Sequence, residues 1–198
     1  MNLPNKLTIF RMILVIVMII IPILPIEGSL WQIPVTALIL EGIFIIASLT
    51  DKLDGYLARA RNEVTTFGKF LDPIADKALV ITAMIILVEM GNIPSWIPAI
   101  IVVREFIVSG YRMVAVQKNG EVIAANFWGK LKTVTQMLAI IVAFVDINKF
   151  GAIFTQGLQG LPFAINLLST GLMIICVIAT IFSGWEYVKG GKDLLKEN

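Results

Sequence analysis

The sequence predicts an all-α, polytopic membrane protein with six transmembrane helices, and three observations lead to this class. Of its 198 residues, 58% are hydrophobic and only 15% are charged, whereas soluble domains hold about 45–50% apolar and 25% charged residues. The mean hydropathy is correspondingly high, at +0.88. Apolar stretches recur along the whole chain, and at roughly 20 residues per crossing there is room for about six crossings with their loops. A separate soluble domain is therefore excluded.

Clusters of helix-breaking glycine and proline residues divide the chain into six apolar stretches. These breakers are Pro22, Pro25 and Gly28, then Gly91 and Pro94, then Gly120, then Gly151, and finally Gly157, Gly160 and Pro162. The six predicted spans are Leu7–Pro25, Ile33–Ala60, Phe67–Met90, Pro94–Gln117, Trp128–Val145 and Leu161–Tyr187. We expect residues 1–198 to form a single membrane domain.

Each span has its own justification. Span 1 lacks an A-x-A cleavage site after its apolar run, which indicates a retained helix rather than a signal peptide. Span 2 is longer than a hydrocarbon core of about 30 Å requires, so its last turns, from Asp51 to Arg61, are expected to project into the cytosol. Spans 3 to 5 carry charged residues, which are rare in lipid and usually face a polar interior. Most of span 6, from Leu161 to Trp185, lies in the charge-free stretch Phe150–Trp185.

The distribution of basic residues predicts the orientation, because cytosolic loops carry an excess of Lys and Arg. If both termini and the junctions of spans 2/3 and 4/5 lie in the cytosol, only Lys149 of the 16 Lys and Arg residues falls on the opposite side. This asymmetry favours an even number of spans. We therefore expect a multi-pass protein of the cell membrane, inner or plasma, with cytosolic termini.

Two features of the composition restrict the chemistry. The chain has no histidine, which excludes Ser-His-Asp triads, histidine general bases and histidine-ligated metals. It has one cysteine, Cys176, which excludes an intramolecular disulfide and a thiolate cluster. Proton transfer or metal binding must therefore be performed by Asp, Glu, Lys, Arg or hydroxyl groups.

Four aspartates form the most informative cluster. Asp51 and Asp54 are three residues apart and Asp72 and Asp76 four apart, so each pair shares one face of a helix. Two antiparallel helices would bring the four carboxylates together near the cytosolic interface. Four adjacent negative charges repel one another, and bound divalent cations would offset this repulsion. A site whose ligands are all oxygen atoms suits Mg²⁺ or Mn²⁺. The alternative is that they are ordinary interfacial acids paired with neighbouring basic residues, namely Lys52, Arg59, Lys69 and Lys77.

The complete pattern, D-x2-D-G-x2-A-R-x8-G-x3-D-x3-D, runs from Asp51 to Asp76. It matches the signature of the CDP-alcohol phosphatidyltransferases at every defined position, and the sequence resembles that family throughout. The resemblance implies a six-helix integral membrane enzyme, usually a homodimer, with its active site at the cytosolic interface. Such an enzyme moves a phosphatidyl group from a CDP-linked lipid to an alcohol and releases CMP.

The resemblance also implies roles for individual residues. Two divalent cations, Mg²⁺ or Mn²⁺, would be held by Asp51, Asp54, Asp72 and Asp76, and Asp76 would also be the catalytic general base. The pocket for the CDP-lipid would be lined by Gly55, Ala58, Arg59 and Gly68. The absence of histidine points independently to a carboxylate as the base.

Basic residues downstream are candidates for binding a phosphorylated acceptor. Arg104 and Arg112 are two turns apart and about 80° apart around a helix, so both can reach one cavity. Lys130 and Lys132 are about 200° apart around a helix, so we do not expect the two side chains to reach the same site. The alternatives are membrane anchoring for the two lysines and a structural ion pair with Glu105 for Arg104.

Three secondary stretches resemble the subgroup of the family that produces phosphatidylglycerophosphate. They are L-P-N-K-L-T-x2-R from Leu3, R-E-F-x3-G-x-R from Arg104 and G-K-x-K-T-x2-Q from Gly129. This resemblance implies CDP-diacylglycerol and glycerol 3-phosphate as substrates, within a lipid bilayer and with a second copy as partner; no nucleic-acid partner is expected. Asn5 and Thr8 would lie near the nucleotide, and glycerol 3-phosphate would be bound by Arg104, Arg112, Lys130 and Lys132.

Other functions remain open at this point. Within the family, the acceptor could instead be phosphatidylglycerol, an inositol phosphate or serine, although an acceptor without phosphate would leave the two arginines without a role. From a different class, an ion-coupled transporter or channel predicts acids spread through the membrane depth rather than clustered at one interface. Prenyl-transferring enzymes also use Asp-rich motifs, but we would expect more helices.

Overall fold

The computed structural model describes residues 2–60, 66–119 and 127–190, with the side chains of residues 4, 52–60, 66, 67, 69, 115–119 and 190 left aside. This part of the chain is mostly helical, and the predicted all-α class with six helices is confirmed there. The helices are α1 (Leu3–Ile20), α2 (Val35–Ala60), α3 (Thr66–Glu89), α4 (Trp96–Asn119), α5 (Phe127–Val145) and α6 (Gly160–Gly190). Short 3₁₀ turns follow α1 at Ile21–Ile23 and precede α6 at Ala152–Phe154.

The first helix begins earlier than the predicted span. Asn2 has an extended backbone, with φ −74° and ψ 166°, and its side chain accepts a hydrogen bond from the amide of Asn5 at 3.4 Å. An asparagine in this position satisfies a free amide of the first turn and starts a helix. Because α1 starts at Leu3, Asn5 and Thr8 are helical residues and lie on the same face as Arg11.

A small β-hairpin, which the sequence analysis does not predict, connects α1 to α2. Its antiparallel strands are β1 (Ser29–Leu30) and β2 (Ile33–Pro34), with Leu30 opposite Ile33. The two turn residues, Trp31 and Gln32, have φ of 52° and 70°. Two-residue turns with positive φ are usually built from Asn and Gly, so this sequence carries no recognisable hairpin signal.

Three helices of the described part are long and apolar enough to cross a membrane: Asn5–Ile23, Phe127–Val145 and Gly160–Lys189. The others carry charged residues within their length: Glu41, Asp51 and Lys52 in α2, Asp72, Asp76 and Lys77 in α3, and Arg104, Glu105 and Arg112 in α4. Large apolar side chains are exposed along α1 and α6, among them Ile13, Ile16, Leu168, Ile178 and Ile181. Exposed apolar surface of this kind is typical of contact with lipid, which fits a membrane protein.

The chain divides into two compact units, and the first comprises Met1–Ile93 and Ile141–Lys149. Within it, α1 packs against both α2 and α3. The core of this unit is apolar and includes Met18, Leu40, Phe44, Leu79 and Leu87, all fully buried. The helices that carry the predicted aspartates are therefore both held by α1.

The second unit comprises Pro94–Ile140 and Phe150–Asn198. In this unit α4 packs against α6, and the Trp128 ring stacks on Phe182 with centroids 4.9 Å apart. Many polar side chains are buried here, namely Lys132, Thr135, Gln136, Asn166, Ser169, Thr170, Thr180 and Ser183. Because polar groups inside membrane helices usually have a functional or paired role, these buried side chains are also candidates for a functional site.

Candidate functional site

One face of α1 is polar and buried. Asn5, Thr8 and Arg11 follow one another at three-residue spacing and are 7%, 1% and 0% exposed. Residues three apart are neighbours on a helix surface, so the three side chains form a continuous polar strip. Since α1 packs against α2 and α3, this strip faces the helices that carry the aspartates.

The polar strip contacts one aspartate from each of these helices. Thr8 Oγ1 donates a hydrogen bond to Asp72 Oδ1 at 2.7 Å. Arg11 Nη1 lies 2.8 Å from Asp51 Oδ1 in an ion pair. The structure thus brings Asp51 of α2 and Asp72 of α3 to one turn of α1, although they are far apart in sequence.

The remaining residues of the signature are described to different extents. Asp76 is half-buried and lies one turn after Asp72 on α3, and Gly68 is buried on the same helix. Pro73 lies inside α3 between the two aspartates and has no backbone N–H to donate. Four predicted residues at the end of α2 have side chains outside the described residues: Asp54, Gly55, Ala58 and Arg59.

The donor set of this site suits a hard divalent cation, because it consists of carboxylate oxygens with a hydroxyl nearby. In the described residues, no group of three or more His, Cys, Asp or Glu side chains is close enough to hold a metal ion. Asp51 and Asp72 are held at one turn of α1, and Asp51 is 36% exposed and open to a further ligand. The chemistry of the donors therefore fits Mg²⁺ or Mn²⁺.

Thr8→Val is expected to lower the free energy of unfolding by about 1 kcal/mol, because valine has a similar shape but cannot donate to Asp72. Thr135→Val is the matched control. Thr135 is also buried, but its hydroxyl bonds the oxygen of Leu131 one turn earlier in its own helix, at 2.8 Å. Thermal unfolding of the detergent-purified chain measures both variants. Equal losses would contradict a stabilising role for the contact between α1 and α3.

In the second unit, Glu105 is shared by two cations. It pairs with Arg104 at 3.2 Å and with the ammonium of Lys132. The side chains of Arg104 and Lys132 are only 11% and 8% exposed, and Arg104 Nε is buried with no hydrogen-bond partner in the described part of the chain. Two buried cations that share one carboxylate leave an excess positive charge, which an anion would relieve.

The four predicted acceptor-binding residues do not share one environment. Lys130 is exposed whereas Lys132 is buried, as their separation of about 200° around α5 predicts. The expected alternative for Arg104, an ion pair with Glu105, is present. Arg112 is exposed on α4 and donates a hydrogen bond from Nη2 to the hydroxyl of Tyr187 at 2.7 Å.

Two further residues of this cluster, both on α6, are not predicted from the sequence. Ser183 accepts a hydrogen bond from Arg104 Nη2. The Tyr187 ring lies 5.8 Å from the guanidinium carbon of Arg104 and 5.4 Å from that of Arg112. Both arginines therefore converge on a single ring, and the expectation that they reach one cavity stays a prediction. The positions of Ser183 and Tyr187 within an apolar helix carry no distinguishing signal.

Known proteins resemble this chain over nearly its whole length. The family model for CDP-alcohol phosphatidyltransferase matches residues 1–183. The CDP-diacylglycerol--glycerol-3-phosphate 3-phosphatidyltransferase of Bacillus subtilis is 42% identical, over 98% of this chain and 97% of the relative. Relatives of the same name from Haemophilus influenzae and Pseudomonas fluorescens are 39% and 32% identical, over 100% and 98% of this chain and 97% and 96% of their own lengths. This chain therefore belongs to the CDP-alcohol phosphatidyltransferase family.

Proposed function

We propose that this chain is an enzyme that transfers a phosphatidyl group from CDP-diacylglycerol to sn-glycerol 3-phosphate. The products are phosphatidylglycerophosphate and CMP, which places the reaction in phospholipid biosynthesis. Relatives named for this activity cover nearly the whole chain. The geometric observation that carries the proposal is the convergence of Asp51 and Asp72 on one turn of α1, through Arg11 and Thr8.

The aspartates of the signature are the proposed metal ligands. The family generally uses divalent metal ions, and the residues that would hold two of them, Mg²⁺ or Mn²⁺, are Asp51, Asp54, Asp72 and Asp76. When bound, such cations neutralise charge on the pyrophosphate and stabilise the departing CMP. The contacts of Arg11 and Thr8 fix two of these carboxylates before any ligand arrives.

Asp76 is the proposed general base. Its carboxylate accepts the proton of the acceptor hydroxyl, whose oxygen forms a bond to the lipid-side phosphorus. The bond from that phosphorus to the bridging oxygen of the pyrophosphate breaks, and CMP leaves with that oxygen. The half-buried position of Asp76, one turn from Asp72 on α3, is compatible with this role.

Each of the two substrates is assigned its own set of residues. We assign the CDP-lipid to Asn5, Thr8, Gly55, Ala58, Arg59 and Gly68, because Asn5 and Thr8 are buried on the face of α1 that contacts the aspartates and Gly68 is buried on α3. We assign the phosphate of glycerol 3-phosphate to Arg104, Arg112, Lys130 and Lys132. The excess positive charge around Glu105 supports this second assignment, because arginine binds phosphate oxygens in a bidentate manner.

In the membrane, we propose that the chain has six spans with both termini in the cytosol and acts as one domain over residues 1–198. The proposed active site lies at the cytosolic interface, where water-soluble glycerol 3-phosphate and the headgroup of the lipid can meet. We also propose that the enzyme is a homodimer in the cell membrane. Crosslinking in native membranes and labelling of the termini from either side test these two statements.

Release of CMP by the purified chain is the direct test of the function. With CDP-diacylglycerol, glycerol 3-phosphate and Mg²⁺, we expect CMP and phosphatidylglycerophosphate in equal amounts. Parallel reactions replace the acceptor with phosphatidylglycerol, an inositol phosphate or serine. A higher rate with one of these acceptors would overturn the assignment of the acceptor, and no CMP release with Mg²⁺ or Mn²⁺ would overturn the activity.

Arg112→Ala is expected to raise the KM for glycerol 3-phosphate about tenfold or more, because it removes a hydrogen-bonding charge from the phosphate. The KM for CDP-diacylglycerol should change little. Lys149→Ala is the matched control, since Lys149 is an exposed cation predicted on the opposite side of the membrane. Steady-state kinetics with each substrate varied in turn measures both. An unchanged KM for glycerol 3-phosphate in Arg112→Ala would remove Arg112 from the acceptor site.

A further inference from the structure

We infer that Tyr187 is a positioning residue that sets the placement of Arg104 and Arg112 and thereby the affinity for the acceptor phosphate. The inference rests on the proposed function, because it concerns the two arginines assigned to glycerol 3-phosphate. It adds a determinant on α6, a helix to which the aspartate signature assigns no residue. Tyr187 also lies beyond residues 1–183, the part matched by the family model.

Tyr187 contacts both arginines with different parts of its side chain. Its ring lies 5.8 Å from the guanidinium carbon of Arg104 and 5.4 Å from that of Arg112. At these distances the electron-rich face of an aromatic ring attracts a cation. Its hydroxyl accepts a hydrogen bond from Arg112 Nη2 at 2.7 Å. The Tyr187 side chain, which is only 6% exposed, thus contacts both Arg104 and Arg112 of α4.

The preceding turn of α6 restrains Arg104 further. Ser183 accepts a hydrogen bond from Arg104 Nη2. A Cβ atom placed on Gly184 would lie 3.3 Å from Arg104 Cγ, so the missing side chain lets the arginine stem lie against α6. Ser183 and Tyr187 are four residues apart and share one helix face. This face of α6 therefore determines where the guanidinium of Arg104 lies.

Holding the two guanidiniums in place has a consequence for binding. Long arginine side chains lose rotamer freedom when they bind a ligand, and this loss of entropy weakens binding. Contacts to Tyr187 restrict that freedom beforehand, and they leave other N–H groups of Arg112 available for phosphate oxygens. We therefore expect Tyr187 to affect the KM for glycerol 3-phosphate, with little effect on kcat or on the KM for CDP-diacylglycerol.

Two substitutions separate the hydroxyl from the ring. Tyr187→Phe keeps the ring and removes the bond to Arg112, and we expect the KM for glycerol 3-phosphate to rise about threefold. Tyr187→Leu removes both contacts, and we expect a rise of about tenfold or more. In both variants kcat and the KM for CDP-diacylglycerol should stay within about twofold of wild type. Phe182→Leu, which removes another aromatic ring of α6, is the control and should leave all three constants unchanged.

An unchanged KM for glycerol 3-phosphate in Tyr187→Leu would overturn the inference. So would a Tyr187→Phe variant in which kcat falls and the KM values for both substrates rise to a similar extent. The conservative Tyr187→Phe variant keeps the shape of the side chain, so it remains informative if Tyr187→Leu does not fold. Failure of the proposed function can be distinguished from failure of this inference. In the former case the wild-type protein would transfer no phosphatidyl group to glycerol 3-phosphate. Size-exclusion profiles and melting temperatures of the variants accompany the kinetics.

Discussion

Replacing Asp76 with asparagine is expected to lower kcat by about 10²–10⁴-fold, the contribution typical of a general base. Asparagine keeps the size of the side chain and accepts hydrogen bonds, but it cannot take the proton of the acceptor hydroxyl. No histidine is available to replace it. The change also removes a proposed metal ligand, which adds to the loss. Release of radiolabelled CMP, measured with saturating substrates, reports the effect.

The control for Asp76→Asn is Glu89→Gln. Glu89 lies at the other end of the same helix, α3, and is exposed, so it undergoes the same chemical change away from the site. We expect wild-type activity for this control and an unchanged melting temperature for Asp76→Asn. A correctly folded Asp76→Asn variant with activity near wild type would exclude Asp76 as the base.

The helices are largely predictable from sequence because apolar runs and helix breakers act locally. The ends of α2 at Ala60 and α5 at Val145 coincide with the predicted ends. The start of α1 differs because Asn2, its cap, precedes the apolar run on which the prediction depends. The hairpin turn at Trp31 and Gln32 is not predictable, because its positive φ angles are imposed on residues that do not favour them.

The candidate site is predictable in its composition but not in its contacts. Spacing alone places Asp51 with Asp54 and Asp72 with Asp76, because residues three or four apart share a helix face. It does not reveal that Arg11, the last residue of the L-P-N-K-L-T-x2-R stretch, is fully buried against Asp51. The contacts of Tyr187 are equally unpredictable, because an aromatic residue at the end of a span is ordinarily interpreted as an anchor at the membrane interface. Contacts between distant segments depend on packing, which local patterns do not encode.

Asp51→Asn is expected to abolish most activity and also to lower the free energy of unfolding by about 3 kcal/mol, the lower end of the range for breaking a buried ion pair. The guanidinium of Arg11 has no exposed surface, whereas the side chain of Asp51 is 36% exposed. Removing the Asp51 carboxylate therefore leaves the guanidinium of Arg11 without this ion pair and out of reach of water. Removing Arg11 instead leaves the Asp51 carboxylate without this ion pair, but water can reach that carboxylate. Arg11→Met should accordingly destabilise less than Asp51→Asn. Asp72→Asn is the matched comparison, since asparagine can still accept the hydrogen bond from Thr8.

The double variant Asp51→Asn/Arg11→Met separates the two roles of Asp51. Removing both charges eliminates the buried cation along with its partner, so the melting temperature should recover toward wild type. Activity should not recover, because the proposed metal ligand is still missing. Unfolding in detergent and CMP release on the same preparations give both quantities. If the double variant regains activity, Asp51 serves only to balance Arg11 and is not a metal ligand. If Asp51→Asn alone leaves the melting temperature unchanged, the ion pair with α1 does not stabilise the fold, and the convergence of α2 and α3 on α1 must depend on apolar packing.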